Sequence, residues 1–355
     1  MILMKNTYFF IFIFILILIS SCSTDESIDV TYSNDYGKGT YFVSENSISF
    51  ISKGGDELIS NIFQYVNQIN LSNNKSSLIY GQNIFIIGNE LSVLDINTFE
   101  LLGTVSGFSN AQKCAVVTKN RVFVTDKDES LVKEVNLNNF EIISEIETGA
   151  NTSPSFIINK FDKSFILNSG SDINKDSTIV TIKYKDDLIP LAEFSGNLII
   201  GDNPNSAITS GNVKILCKGV YDVNNSSLNT ESSFYNIYPN DLLVNFSETL
   251  SGIYNAQNLV ENTSGTNFYF TAEGGIYRIN QLATNINPII SINTNLLKLN
   301  SEKYIVNDST DAYSNMLYMN DLDNLGKVYK YNINLSIFVD TISLNSPVVD
   351  ISFKN

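Results

Sequence analysis

The feature that most restricts what this chain can fold into is a unit that recurs along it. It is clearest in "NIFIIGNELSVLDINTFELLGTVSG", residues 83–107, and again in "NRVFVTDKDESLVKEVNLNNFEIISEIETG", residues 120–149. Each begins with a strand of aromatic and β-branched residues, turns through Gly, Asn or charged residues, runs back, turns again, at Asn97-Thr98 in the first and in "NLNNF" in the second, and ends in an outer strand. Looser copies start at Gly39, Lys163, Asn212, Asn267 and Asn315. That makes about seven units at a spacing of roughly 40 to 50 residues, the period of propeller blades. No amphipathic helical pattern of useful length follows the N-terminal apolar run, so the expected class is all-β.

Between the units a polar corner returns, often with proline and always ahead of an apolar strand: "GFSNAQKCAVV" from Gly107, "GANTSPSFIIN" from Gly149, "GDNPNSAITS" from Gly201 and "SLNSPVVDISF" from Ser343. In a propeller the innermost strand of each blade follows such a corner near the central channel. Proline is tolerated where no ladder hydrogen bond is lost. The chain ends complement each other: the C-terminus supplies a corner and an inner strand with nothing after it, and the N-terminus supplies later strands with no corner before them. The expected fold is a seven-bladed β-propeller closed by pairing of the C-terminal strand with the N-terminal blade, which removes two exposed edges. A sandwich or a solenoid is the competing arrangement.

The N-terminus sets an expected address. "MILMKNTYFFIFIFILILISSC" places one early lysine before a long apolar run and ends small-small-Cys, the order of a secretory signal. Residues 1–21 read as a lipoprotein signal peptide, Cys22 as the lipid-bearing new N-terminus, residues 22–38 as a polar, flexible tether and residues 39–355 as the propeller. An uncleaved transmembrane helix is the alternative, although no basic stop-transfer cluster follows. The formal charge of −15 argues against nucleic acid and against an anionic membrane surface as partners. Beyond Cys22 the cysteines are Cys114 and Cys217, each inside an apolar run, which favours two separate buried thiols over a bridge.

Composition also limits chemistry. The chain has no histidine and no tryptophan, so Ser-His or Cys-His nucleophilic catalysis lacks its base. A zinc or non-haem iron site would have to form without imidazole. Paired carboxylates stay open as a glycosidase-like possibility. Two acidic turns, with Asp126, Asp128 and Glu129 and with Asp321, Asp323 and Gly326, have the alternating oxygens that calcium uses, but neither completes a loop with a distal bidentate carboxylate. No catalytic residue, metal or cofactor is assigned. The expected role is binding, and the candidates are the corner residues Asn110, Gln112, Asn151, Ser153, Asn203 and Asn205, which should project toward one pore mouth, with Tyr221 and Tyr238 as loop aromatics. Each can equally be a satisfied turn residue.

The run "GTVSGFSNAQKCAVVTKNRVFVTD" resembles the YVTN-type propeller repeat. The last third, with "NFYFTAEGGIYRIN", "GKVYKYN" and "VDTISLNSPVVDISF", is similar to surface lipoprotein propellers of Bacteroidota, a group that includes the cobalamin-capturing partner of a TonB-dependent transporter. The resemblance implies an outer-membrane lipoprotein at the cell surface that captures a small molecule or docks on such a transporter. Three short Asp-Ser/Thr triplets at Asp176, Asp308 and Asp340 resemble the O-glycosylation acceptor of the same group. A structural or adhesive propeller that binds a protein or a glycan is the alternative.

Overall fold

The computed structural model describes residues 36–170, 175–184, 192–306 and 310–355. The signal-like segment, Cys22, most of the tether and Asp308 lie outside the described residues. The described chain forms seven four-stranded antiparallel sheets, arranged as the blades of a β-propeller. Blade 2 shows the pattern: Ser76–Tyr80 innermost, then Asn83–Ile87, Leu91–Asp95 and Leu101–Val105 outermost. The other inner strands are Ala111–Thr118, Pro154–Lys160, Pro204–Ile208, Gln257–Glu261 and Leu297–Val306 for blades 3 to 7. Blade 1 takes its inner strand, Val348–Lys354, from the C-terminus and pairs it with Gly39–Ser44. The expected closure is therefore the observed one.

Strand periodicity explains the core. Side chains alternate across a strand, and a blade is covered on both faces, so its middle strands read as unbroken apolar runs. In Arg121–Asp126, Val122 and Val124 face the core between blades 2 and 3, while Phe123 faces the core between blades 3 and 4. In Lys163–Asn168, Ile166 points back to blade 3 and Phe165 and Leu167 point on to blade 5. Each interface is a separate apolar layer, and blades 7 and 1 share one through Phe42, Tyr318, Val348 and Ile351. Between blades 1 and 2 the layer is aromatic: Tyr36 packs edge-on against Phe50 and Phe99, and Tyr41 stacks on Phe99.

The repeated outer turn has a local cause. Asp95 accepts hydrogen bonds from the backbone N–H groups of Asn97 and Thr98, and Asn332 accepts those of Asn334 and Leu335. The turns then reverse through a left-handed residue, Phe99, Phe140, Leu242 or Ser336. Phe140 lies so close to Gly103 of the preceding blade that a Cβ there would sit 2.5 Å from its ring, which explains glycine in "LLGTV". Blade 1 departs from the pattern. Its outer strand is only Leu58–Ile59, followed by a helix, Ile62–Asn67, that buries Ile62 and Phe63. Asn67 ties this helix to blade 2 by accepting the Leu101 N–H and donating to the Phe99 carbonyl.

Both described cysteines are free and buried, Cys114 between blades 2 and 3 and Cys217 between blades 4 and 5. Burial pushes the Cys114 thiol up to about 12 and the Cys217 thiol higher still. Neither should react with iodoacetamide at pH 8 until the protein is denatured; labelling of the native chain at either position would contradict the packing. For closure, Ile351→Ala should destabilise by about 2 to 4 kcal/mol in chemical denaturation. A loss well under 1 kcal/mol would mean that the C-terminal strand is not held by the apolar layer it enters.

Candidate functional site

The antiparallel order gives the ring two unlike faces. Inner strands start, and second strands end, on the face that carries the corners; inner hairpins and outer turns lie on the other. At the corner face the channel opens into a cavity of about 370 Å³, within the range of small-molecule sites.

Five blades build this mouth with the same irregularity. Where the inner strand begins, its register against the second strand slips, so that Val349, Gln112 and Lys113, Ser155, Asn205, and Asn258 and Leu259 have no one-to-one partner. A bulge bends the strand and re-aims its side chain. All of these except Gln112 line the cavity. The prolines at Pro154 and Pro204 are the first residues of their strands, each immediately ahead of the slip, and not in the corner before them as the sequence pattern implied. Proline fits at that first position.

The predicted corner residues divide accordingly. Asn203 and Asn205 line the cavity; Asn110, Gln112, Asn151 and Ser153 do not. Asn110 donates to Asp128 and accepts from Lys75 and from Gln112, so the Gln112 amide folds back on its own corner. Asn151 is an exposed left-handed turn residue, and the Ser153 carbonyl accepts the Ser169 N–H. Asn203 is itself left-handed, donating to the Gly219 carbonyl and accepting from the Asp176 N–H. Asn205 crosses to the next blade and donates to the Ala256 carbonyl. Tyr221 is 39% exposed in the loop after Val213–Cys217, on the corner face, beside Tyr254. Tyr238 is not a loop residue: it ends the strand Ser233–Tyr238, which places it on the opposite face.

The groups that dominate the mouth electrostatically are ones the corner pattern did not single out. Asp350, on the closing strand and 1% exposed, receives Lys298 at 2.7 Å and Lys113 at 3.5 Å. The Ser77 N–H of blade 2 donates to it at 2.7 Å. Burial opposes its ionisation, yet the two ammonium groups and this hydrogen bond outweigh that and hold it at about 2. Loss of hydration lowers Lys113, with Asp350 acting against the shift. Lys127 and Lys218 also line the cavity.

Both acidic turns are occupied from within. Asp321 accepts from the N–H groups of Asp323 and Asn324, from the Asn324 amide and from the Tyr329 hydroxyl. Asp126 accepts the Ser109 and Asn110 N–H groups and pairs with Lys133, which also holds Glu129. Among the described residues no three His, Cys, Asp or Glu side chains converge to hold a metal ion.

No family model matches the chain, and no curated protein sequence matches it. Solved structures do. A functionally unknown protein from Desulfotomaculum acetoxidans aligns at a TM-score of 0.61 and 12% identity over 89% of this chain and 98% of that one. A quinonprotein alcohol dehydrogenase-like protein from Bacteroides thetaiotaomicron aligns at 0.61 and 12% over 90% and 79%. A candidate 6-phosphogluconolactonase from Bacteroides fragilis aligns at 0.61 and 9% over 91% and 99%. At such identities the likeness establishes the propeller fold, which serves binding proteins and enzymes alike.

Because the Asp350 carboxyl is held below its ordinary 3.8, its ionic stabilisation is complete above about pH 4 and is lost as pH falls through about 2. Asp350→Asn should therefore cost about 2 kcal/mol at neutral pH, and its denaturation curve should converge on that of the unsubstituted protein near pH 2. Curves that stay parallel down to that pH would show that the carboxylate is not held by the lysines.

Proposed function

We propose that this chain is a non-catalytic binding protein of the cell envelope, anchored through a lipid on Cys22 in the outer membrane, that captures a small-molecule nutrient at the corner-face cavity. The observation that carries this reading is the way the cavity is made. Five inner strands give up regular pairing at their first residues, and the residues released there, Gln112 excepted, line one mouth. Its lining has amide, hydroxyl and ammonium donors but no imidazole, and its one carboxylate among the described residues, Asp350, is tied between two lysines. Such a lining supports recognition better than proton transfer.

The resemblance of the repeats to surface lipoprotein propellers supplies the rest of the proposal: docking on a TonB-dependent transporter, with a cobalamin-like cargo. A corrinoid is too large for a cavity of about 370 Å³ and would rest across the mouth with a smaller appendage inside. The exposed Tyr221, Val223 and Leu228 on the corner-face loop of blade 5 favour a second reading, an adhesive module that binds a protein or glycan at its rim.

Extraction of the native protein in mild detergent should bring down a stoichiometric outer-membrane barrel, and Cys22→Ala should release the chain from the membrane fraction. The barrel's cargo at a hundredfold excess over its Kd should stabilise the chain by about 2.7 kcal/mol, and Asn205→Leu should weaken that effect. A chain that purifies alone even after crosslinking, and whose melting is unmoved by cobalamin, would favour the adhesive reading.

A further inference from the structure

The cavity has a charge that the chain as a whole does not. In a protein with a formal charge of −15, the ionisable side chains lining this mouth among the described residues are Lys113, Lys127, Lys218 and Lys298 against the single Asp350. Lys113 and Lys298 share that aspartate, so even the floor of the cavity holds more positive than negative charge. Lys127 and Lys218 make no ion pair with another described residue. The acidic groups closest in sequence to Lys127 are committed elsewhere: Asp126 and Glu129 to Lys133, and Asp128 to the Asn110 amide.

The placement of these two lysines follows from the fold. Lys127 is the first residue after the second strand of blade 3, Arg121–Asp126, and Lys218 the first after the second strand of blade 5, Val213–Cys217. Ser169 holds the same place in blade 4, after Lys163–Asn168. All three line the cavity, so three consecutive blades contribute an ammonium, a hydroxyl and an ammonium to one wall. In the remaining blades the equivalent residues are Glu45, Gly88, Glu273 and Asp321, and none of those lines this cavity. Glu273 instead lines a separate groove between blades 6 and 7, with Asp323; each accepts a hydrogen bond from an asparagine, Asn255 and Asn293 respectively. Positive charge is thus concentrated on the wall of blades 3 to 5 and on the floor. The other side of the cavity sets Leu259, Val260, Leu296 and Val349 among the amides of Gln257, Asn258 and Asn295.

We infer that the cavity takes the anionic group, phosphate or carboxylate, of a small ligand whose remaining body packs against Leu259, Val260 and Leu296 and the amides beside them. The inference rests on the capture reading above and specifies its ligand class. Ammonium groups without an ion-pair partner among the described residues, in a recess partly walled by apolar side chains, focus field on an anion that enters. The negative charge of the outer surface is screened beyond about 8 Å at physiological ionic strength and does not cancel that local field.

The test is isothermal titration of the full chain, in mild detergent at physiological ionic strength, with inorganic pyrophosphate, citrate, ribose 5-phosphate and ribose. Pyrophosphate or citrate should bind, and ribose 5-phosphate should bind at least about tenfold more tightly than ribose. Preference between pyrophosphate and citrate separates a phosphate ligand from a carboxylate one. Lys127→Met with Lys218→Met should weaken anion binding by about tenfold or more, while Lys53→Met, an exposed lysine off the cavity, should leave it unchanged. Equal affinity for ribose and its phosphate, or anion binding indifferent to the paired lysine variant, would overturn the inference. Neutral binding that Asn205→Leu abolishes would keep the capture reading and remove only the anion; no binding by any probe would count against both.

Discussion

The ring depends on one pairing: the last strand of the chain, Val348–Lys354, laid against the first, Gly39–Ser44. Six blades are complete within contiguous sequence, and each interface between them forms locally. The seventh cannot form until both ends of the chain meet, so closure is the one contact of very long sequence separation and the step that removes the open edges. The closing strand brings a charge with it. Asp350 enters the channel and is met by blade 2 through the Ser77 N–H, by blade 3 through Lys113 and by blade 7 through Lys298. A carboxylate this deeply buried is tolerable only with such partners, and those partners exist only in a closed ring. The apolar layer of Phe42, Val348 and Ile351 drives the strand home, and Asp350 fixes its register at the axis.

The same backbone geometry that closes the blades also opens the mouth. A strand buried on both faces has no freedom to shift its register, because a one-residue slip would exchange its two apolar sets. The slips seen here fall on the edge strands of the sheets: mainly at the first residues of the inner strands, on the corner face, and within the outermost strands of blades 2 to 7, where Leu102, Ile143, Ser195, Asn245, Ile289 and Val339 have no one-to-one partner. Pairing is regular again within a few residues, so Phe156, Ile157 and Ile158 reach their proper layers. On the inner strands the irregularity leaves the core intact and gives the channel side chains of its own.

Much of this was legible in the residues. The repeated "LDINTFELLGTV" and "VNLNNFEIISEI" units fixed the blade count because their Asx turns and left-handed phenylalanines have short-range causes. Closure was legible from the two incomplete ends. The cavity was legible only in part: Asn203 and Asn205 were found, whereas Lys113, Ser155 and Asn258 were not. A bulge displaces one or two residues without any change of composition, so a corner pattern points at the turn before the strand when the side chains that enter the channel lie just after it. Lys127 and Lys218 were hidden for another reason. Each follows a separate second strand, and only the superposition of blades brings them to one wall. The run "NIYPND" around Tyr238 has the composition of a turn, but the strand continues through Tyr238 before the chain reverses.

The acidity of the chain takes on a different meaning beside the lysines at its centre. Read from composition alone, a charge of −15 speaks for solubility and against polyanions, and that holds for any partner that must meet the outer surface. A small anion meets a different environment, because over the few ångströms of a recess the nearest charges decide and distant ones are screened. Segregating the two signs in this way has a structural requirement. The basic groups must sit at matching positions of neighbouring blades, and their acidic neighbours must be bound elsewhere, as Asp126 and Glu129 are by Lys133 and Asp202 is by Ser177, Thr230 and Lys175. On the anion reading proposed above, an acidic exterior around a basic mouth would disfavour large polyanions while leaving the channel open to small ones.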